Sequence, residues 1–155
     1  MTVQAPGGGT PIGNVTVSDG VDSCQGTVAA GQCSLALTTA GARTLTATYA
    51  GTANHTGSSD TQPHQVNPAG TITALASSLN PSVEGQMITF TATVRVAAPG
   101  VCSPTGNVTF LDGATPLATR ALSGAVATYS TDALAVGSHS ITAVYAGDAQ
   151  CGSST

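Results

Sequence analysis

Short runs of alternating apolar and polar residues recur along the chain. In residues 44–49, Leu45, Ala47 and Tyr49 alternate with Thr44, Thr46 and Thr48. In residues 140–145, Ile141, Ala143 and Tyr145 alternate with Ser140, Thr142 and Val144. A longer run sets Ile88, Phe90, Ala92, Val94 and Val96 against Thr89, Thr91, Thr93 and Arg95. A period of two sends one set to a core and the other outward, the pattern of half-buried strands. β-Branched Val, Ile and Thr favour that pleated setting. No amphipathic helix is predicted. Gly- and Pro-containing turns separate the runs. Asp19-Gly20 and Asp112-Gly113 are hairpin signals, and Pro11 and Pro104 stand just before strands, where a missing N–H is tolerated. Many short strands between such turns predict an all-β sandwich.

The chain repeats itself. Residues 10–20 read TPIGNVTVSDG and residues 103–113 read SPTGNVTFLDG, an offset of 93 from Asn14 to Asn107. Residues 44–51 read TLTATYAG and residues 140–147 read SITAVYAG, an offset of 96 from Tyr49 to Tyr145. Two blocks in the same order at nearly the same spacing imply two copies of one unit. The period fits the roughly 100 residues of an immunoglobulin-like domain. Val66–Gly70 reads as a short junction between the copies rather than a flexible linker.

Composition narrows the function classes. Of 155 residues, 41% are hydrophobic but only 3% aromatic, so the core is expected to be thin, as between two sheets. Charged residues make up 6%. There is no Lys, and the cations Arg43, Arg95 and Arg120 are scattered singly, which argues against nucleic-acid binding. No apolar run approaches the roughly 20 residues of a membrane-spanning helix, so no membrane insertion is expected. Met1-Thr2-Val3-Gln4 leads directly into strand-like sequence without a secretory leader pattern. An exported protein would therefore carry this chain as a section of something longer. The cysteines are Cys24, Cys33, Cys102 and Cys151, with no C-x-x-C pair and no His at zinc-finger spacing. In a Thr-, Gly- and Ala-rich chain of extracellular character they read as two disulfides. The alternative is thiols buried as small hydrophobes.

PTGNVTF-x-DG followed by a strand ending in YAGD resembles the bacterial immunoglobulin-like repeats that occur in tandem in large surface proteins and adhesins. Residues 103–113 and 140–148 carry the pattern closely. Residues 10–20 and 44–51 carry it with Thr52 where the second copy has Asp148. The opening of the second copy, through Thr71-Ile72-Thr73, Asn80-Pro81-Ser82 and Gly85-Gln86, fits as well. The resemblance implies two tandem immunoglobulin-like antiparallel β-sandwiches: residues 1–67, incomplete at the N-terminus, and 68–155, incomplete at the C-terminus. By the same pattern Met1–Pro6 corresponds to about residues 94–99. The second copy is expected to stop short of a last strand like residues 58–66.

In immunoglobulin topology the loops around Cys102 and Cys151 lie at one end of the sandwich, so these two are expected to pair. Cys24 and Cys33 are expected to pair across a local hairpin that turns at Ala29-Ala30-Gly31. Tyr49 and Tyr145 fit tyrosine corners, with the ring buried and the hydroxyl bonded to backbone.

Catalysis has little to work with. The acids sit mostly in turns, where Asp satisfies nearby N–H groups. No convergent acid–base set and no G-x-S-x-G elbow is visible around His55, His64 or His139. Asp148, with Asp112 or carbonyl oxygens nearby, is a candidate calcium ligand, but turn capping accounts for it too. Asn14, Asn54 and Asn107 match the glycosylation pattern, easily met in a Thr-rich chain. No catalytic residue, cofactor or metal is expected. The expected function is a structural repeat of an extracellular stalk, adhesin or filament. Its partners would be neighbouring repeats or copies of itself, assembled head to tail by strand complementation. The alternatives are a module that binds a glycan or host protein through its end loops, and an accessory domain of a secreted enzyme.

Overall fold

A computed structural model describes residues 9–155. The chain divides into two compact units, one ending at Val66 and one running from Asn67 to Thr155. Met1–Gly8, including the stretch expected to match residues 94–99, lies outside the described residues.

Unit 1 contains β1 (Asn14–Ser18), β2 (Ser23–Thr27), β3 (Gly41–Tyr49) and β4 (Ser58–Val66). They form one antiparallel sheet in the order β2-β1-β3-β4. Val15 pairs with Tyr49 and Val17 with Ala47, so the apolar phases of β1 and β3 share one face. Gln32–Thr39 keeps alternate residues half-buried, Cys33, Leu35 and Leu37 among them, yet is no strand. The expected hairpin of residues 23–28 with 32–37 therefore does not form, because β2 ladders with β1 instead. At an offset of 94 its inward residues Cys33, Leu35 and Leu37 fall on Ala127, Tyr129 and Thr131 of the strand Val126–Thr131 of unit 2, which ladders with Ile88–Val96. No described strand of unit 1 plays that partner's role, and an extended segment without a partner makes no ladder.

Unit 2 has two three-stranded sheets. One orders β5 (Thr71–Ser77), β6 (Ile88–Val96) and β9 (Val126–Thr131). The other orders β10 (Ile141–Tyr145), β7 (Asn107–Asp112) and β8 (Thr115–Ala121). Alternation in β6 works as expected: Ile88, Phe90, Ala92 and Val94 are buried. They pack with Val108, Phe110, Ala127, Ala143, Tyr145 and Cys151 into one core. The partly buried Tyr129 packs against this core, its ring 5.9 Å from Phe110 and 6.5 Å from Phe90. On the outer faces the hydroxyls pair across strands, Thr89 with Ser130 at 2.8 Å and Thr109 with Thr119 at 3.1 Å. These pairs use the Thr-rich outward phase to make a polar surface with little charge.

The turns differ between the copies. Asp112 pairs with Thr115, so Asp112-Gly113 begins a two-residue loop. Asp19-Gly20 begins a four-residue loop between Ser18 and Ser23. There Asp19 accepts the N–H groups of Val21 (2.9 Å) and Asp22 (2.7 Å). Beyond β10, Ser154 bridges Tyr145 and Cys151 bridges Ala69 in parallel. Ser154 thus takes the place on β10 that Ser58 takes on β3, 96 residues earlier.

Candidate functional site

One end of unit 2 is built around Asp148. Its carboxylate accepts the Thr105 N–H (2.8 Å), the Thr105 hydroxyl (2.7 Å) and the Tyr145 hydroxyl (3.2 Å) on Oδ2. Oδ1 accepts the N–H groups of Gln150 (2.8 Å) and Cys151 (2.7 Å). The Thr105 hydroxyl first, then the Gln150 and Cys151 N–H groups, hold this carboxyl well below the usual carboxylate range. Burial, and then the Asp148 charge, push the Tyr145 hydroxyl up. The adjoining disulfide joins Cys102 to Cys151, with Cα atoms 5.8 Å apart. Asp148 and the disulfide therefore tie the same two segments, residues 102–105 and 148–151, across the end of the sandwich.

The corresponding end of unit 1 is simpler. The buried Tyr49 donates its hydroxyl to the Ile12 carbonyl at 2.8 Å. This is a tyrosine–backbone bond; the Tyr145 hydroxyl meets the Asp148 carboxylate as well as the Thr105 backbone. Thr52 stands in place of Asp148 and forms a small turn with His55, Thr52 N–H to His55 O at 2.8 Å. The shared YAG glycines have a steric reason. Gly51 (φ +88°) and Gly147 (φ +83°) leave no room for a Cβ, which would sit 2.6 Å from His55 O and 2.9 Å from Ser153 N. Cys24 and Cys33 are disulfide-bonded with Cα atoms 5.9 Å apart, and they clamp residues 32–33 over β2. A Cβ on Gly26 would lie 2.3 Å from the Gln32 carbonyl oxygen, so the glycine admits this close approach.

Two carboxylates of unit 1 do work that the sequence did not reveal. Asp22 accepts the N–H (2.8 Å) and hydroxyl (2.9 Å) of Thr38, fastening the non-strand segment at its far end. Asp19, lowered mainly by the Asp22 and Val21 N–H groups, also faces Arg43 at 3.7 Å. The Arg43 guanidinium in turn donates to the Thr39 carbonyl at 3.0 Å. The only sequence signal for the first of these links was an Asp and a Thr flanking a disulfide loop.

At the opposite end of β7 from Thr105, Asp112 binds His139 through Nδ1 at 2.5 Å, and His139 Nε2 meets the Ala135 carbonyl at 2.9 Å. The Ala135 carbonyl first, then Asp112, raise the His139 pKa. Asp148 and Asp112 thus serve different ends of the sandwich and do not meet. Around His139 a pocket of about 400 Å³ includes Val83, Leu134 and Val136, of which Val83 and Val136 are exposed. Among the described residues no three His, Cys, Asp or Glu side chains converge on a point that could hold a metal ion. The chemistry at both ends is that of fastening: carboxylates accept N–H and O–H donors of loops, and disulfides lock the same loops.

No curated protein matches the chain. A solved structure of Clostridium thermocellum CbhA fibronectin(III)-like modules is similar over 99% of this chain and 77% of that one, at 16% identity and a TM-score of 0.43. The family model of the bacterial Ig-like domain (group 3) matches residues 1–67 and again 75–155, once in each unit. Two matches that together span nearly the whole sequence place it plainly: the chain belongs to the bacterial Ig-like domain family, group 3.

Proposed function

We propose that the chain is a load-bearing, non-catalytic repeat segment of an extracellular or cell-surface stalk, adhesin or filament, completed by neighbouring repeats. The observation that carries this reading is the use of the chemistry-bearing side chains. Asp22, Asp148 and all four cysteines tie loops to strands within their own unit. Disulfides suit an oxidising compartment. The sheet of unit 1, with Val15, Val17, Leu45 and Ala47 only half-buried, supports completion by a neighbour.

Single-molecule pulling of the chain between reference domains tests the reading. A load-bearing repeat unfolds in discrete steps. The Cys102–Cys151 bond, which spans 49 residues, withholds roughly 170 Å of extension until it is reduced, at about 3.5 Å per residue. Extension without a force peak from either unit, oxidised or reduced, would sink it.

A second reading has its own observation. Exposed Leu79, Val83 and Val136 line pockets beside His139 at one loop end of unit 2. Clustered exposed apolar residues mark contact surfaces, and a host protein is the partner they suit. The absence of Trp counts against a stacked glycan. Cell-surface binding that survives Val83→Asp/Val136→Asp would exclude this end as the contact.

A further inference from the structure

Residues 132–138 lie in the loop from β9 to β10, at one end of unit 2. Among the described residues they hydrogen-bond through the Ala133 N–H, to Thr131 Oγ1 at 3.1 Å, and through the Ala135 carbonyl, to His139 Nε2 at 2.9 Å. Leu134 packs partly buried against the core, while Val136 is exposed. The anchorage on the β7 side is denser. His139 Nδ1 meets Asp112 Oδ2 at 2.5 Å, Asp112 Oδ1 accepts the Ser140 N–H at 3.1 Å, and the Ser140 carbonyl accepts the Gly113 N–H at 2.9 Å. His139 thus stands between a firmly held carboxylate and a loop carbonyl with few other ties.

Both partners of the ring are acceptors. A carbonyl oxygen only accepts, and so does an ionised carboxylate. A neutral imidazole has a single N–H and cannot serve the two, whereas imidazolium donates from both nitrogens. The raised pKa of His139, owed first to the Ala135 carbonyl and then to Asp112, agrees with that geometry. Once one proton leaves, the remaining N–H goes to the charged acceptor, because a bond to a carboxylate is the stronger. Nε2 then turns a lone pair on the Ala135 carbonyl, and the tie becomes a repulsion. The other titratable groups lining the pocket beside the ring are Glu84, from the loop between β5 and β6, and Asp132, from this loop; no Arg lines it. His139 is the one histidine of residues 67–155, and histidine is the side chain that titrates near neutral pH.

We propose that His139 is a proton-operated latch on residues 132–138. With both ring nitrogens protonated it ties Ala135 to Asp112 and keeps Leu134 on the core. With one proton lost it lets go of Ala135, and the loop lifts Leu134 away from Ile88, with which it lines the pocket. The closed form belongs to lower pH and the open form to higher pH. Val83 and Val136 line the same pocket, so the latch gives the apolar contact surface of the second reading a pH dependence. The latch itself involves no partner, and it stands or falls apart from that reading.

Methyl-labelled NMR of the full chain between about pH 5 and about pH 9 tests it. The His139 ring carbons report protonation, and the Leu134 methyls report the loop. Fast opening moves the Leu134 signals, and slow opening broadens or splits them. The Ile141 methyls, on β10 and outside the loop, give the effect of the ring's charge alone. The expected result is that Leu134 titrates with the His139 ring, beyond any shift at Ile141. Its open-to-closed ratio rises roughly 3- to 10-fold, the worth of one hydrogen bond. His139→Gln abolishes that titration. Asp112→Asn moves the ring and Leu134 midpoints down together, because the imidazolium loses its charged partner. Leu134 signals that stay fixed while the ring titrates, or that still titrate in His139→Gln, overturn the proposal, as do midpoints that part in Asp112→Asn. The parent titration decides alone if a variant fails to fold.

Discussion

Removing the Cys102–Cys151 bond is expected to destabilise unit 2 far more than removing Cys24–Cys33 destabilises unit 1. A disulfide acts chiefly by restricting the unfolded chain, so its effect grows with the loop it closes. The separations are 49 and 9 residues, which give about 4 and about 2.5 kcal/mol. Both are upper figures, because residual order in the unfolded chain shrinks them. Cys151 is fully buried, so a single substitution would leave a buried thiol or a polar hydroxyl. The clean perturbation is the double variant Cys102→Ala/Cys151→Ala, with Cys24→Ala/Cys33→Ala as its counterpart. The five donors to Asp148 persist in the first variant, since three are backbone N–H groups and two are the Thr105 and Tyr145 hydroxyls. The fastening at that end therefore loses one of its two ties and not both. For a domain of this size each kcal/mol moves the midpoint by about 4–8 °C, so unit 2 is expected to melt roughly 15–30 °C lower. Calorimetry of parent and both variants, after non-reducing peptide mapping of the parent, gives the comparison. A loss below about 1 kcal/mol in unit 2, or a larger loss in unit 1, would refute the loop-entropy account.

Phe110→Ala removes a fully buried ring that packs on Tyr129, and is expected to cost unit 2 about 3–5 kcal/mol by urea titration. Tyr49→Phe strands the Ile12 carbonyl and is expected to cost about 1–2 kcal/mol in unit 1, read from the same titration. His139 has a raised pKa, so its contribution is whole below the unfolded value near 6.5 and is lost as pH rises through the folded value. The midpoint of unit 2 is expected to fall as pH rises above about 6.5, and His139→Gln to flatten that limb in pH-dependent melts. Asp148 has a lowered pKa, so its contribution is present above the unfolded carboxylate value and is lost as pH falls through the folded one. Melts taken below about pH 4 should show that loss, and Asp148→Asn should lack it.

The parts of the fold that local periodicity specifies were legible in the sequence. The limits of β6 follow from alternation and those of β4 from the family pattern, and a core built largely of small side chains follows from the Ala and Val of the inward phase. The paired turns Asp19-Gly20 and Asp112-Gly113 were visible as turns, but not that one closes a four-residue loop and the other a two-residue loop. That difference lies in how Asp19 caps two N–H groups, and a dipeptide does not encode it. Asp148 was visible as a departure between the copies. Its five donors were not, because Thr105 is 43 residues away and only the closed sandwich brings it there. The Asp22–Thr38 link was hidden for the same reason, a contact across 16 residues with no periodic signature.

The segment Gln32–Thr39 shows why pattern and structure part company. Its alternation is as good as that of Val126–Thr131, and its inward residues Cys33, Leu35 and Leu37 lie half-buried in the corresponding phase. In unit 2 the same pattern becomes β9 because β6 stands beside it and exchanges backbone bonds along six residues. In unit 1 a disulfide at one end and Asp22 at the other hold the segment in place, and it still makes no ladder. Apolar phase therefore decides which way a side chain points, while strand formation requires a neighbour whose N–H and C=O groups are free.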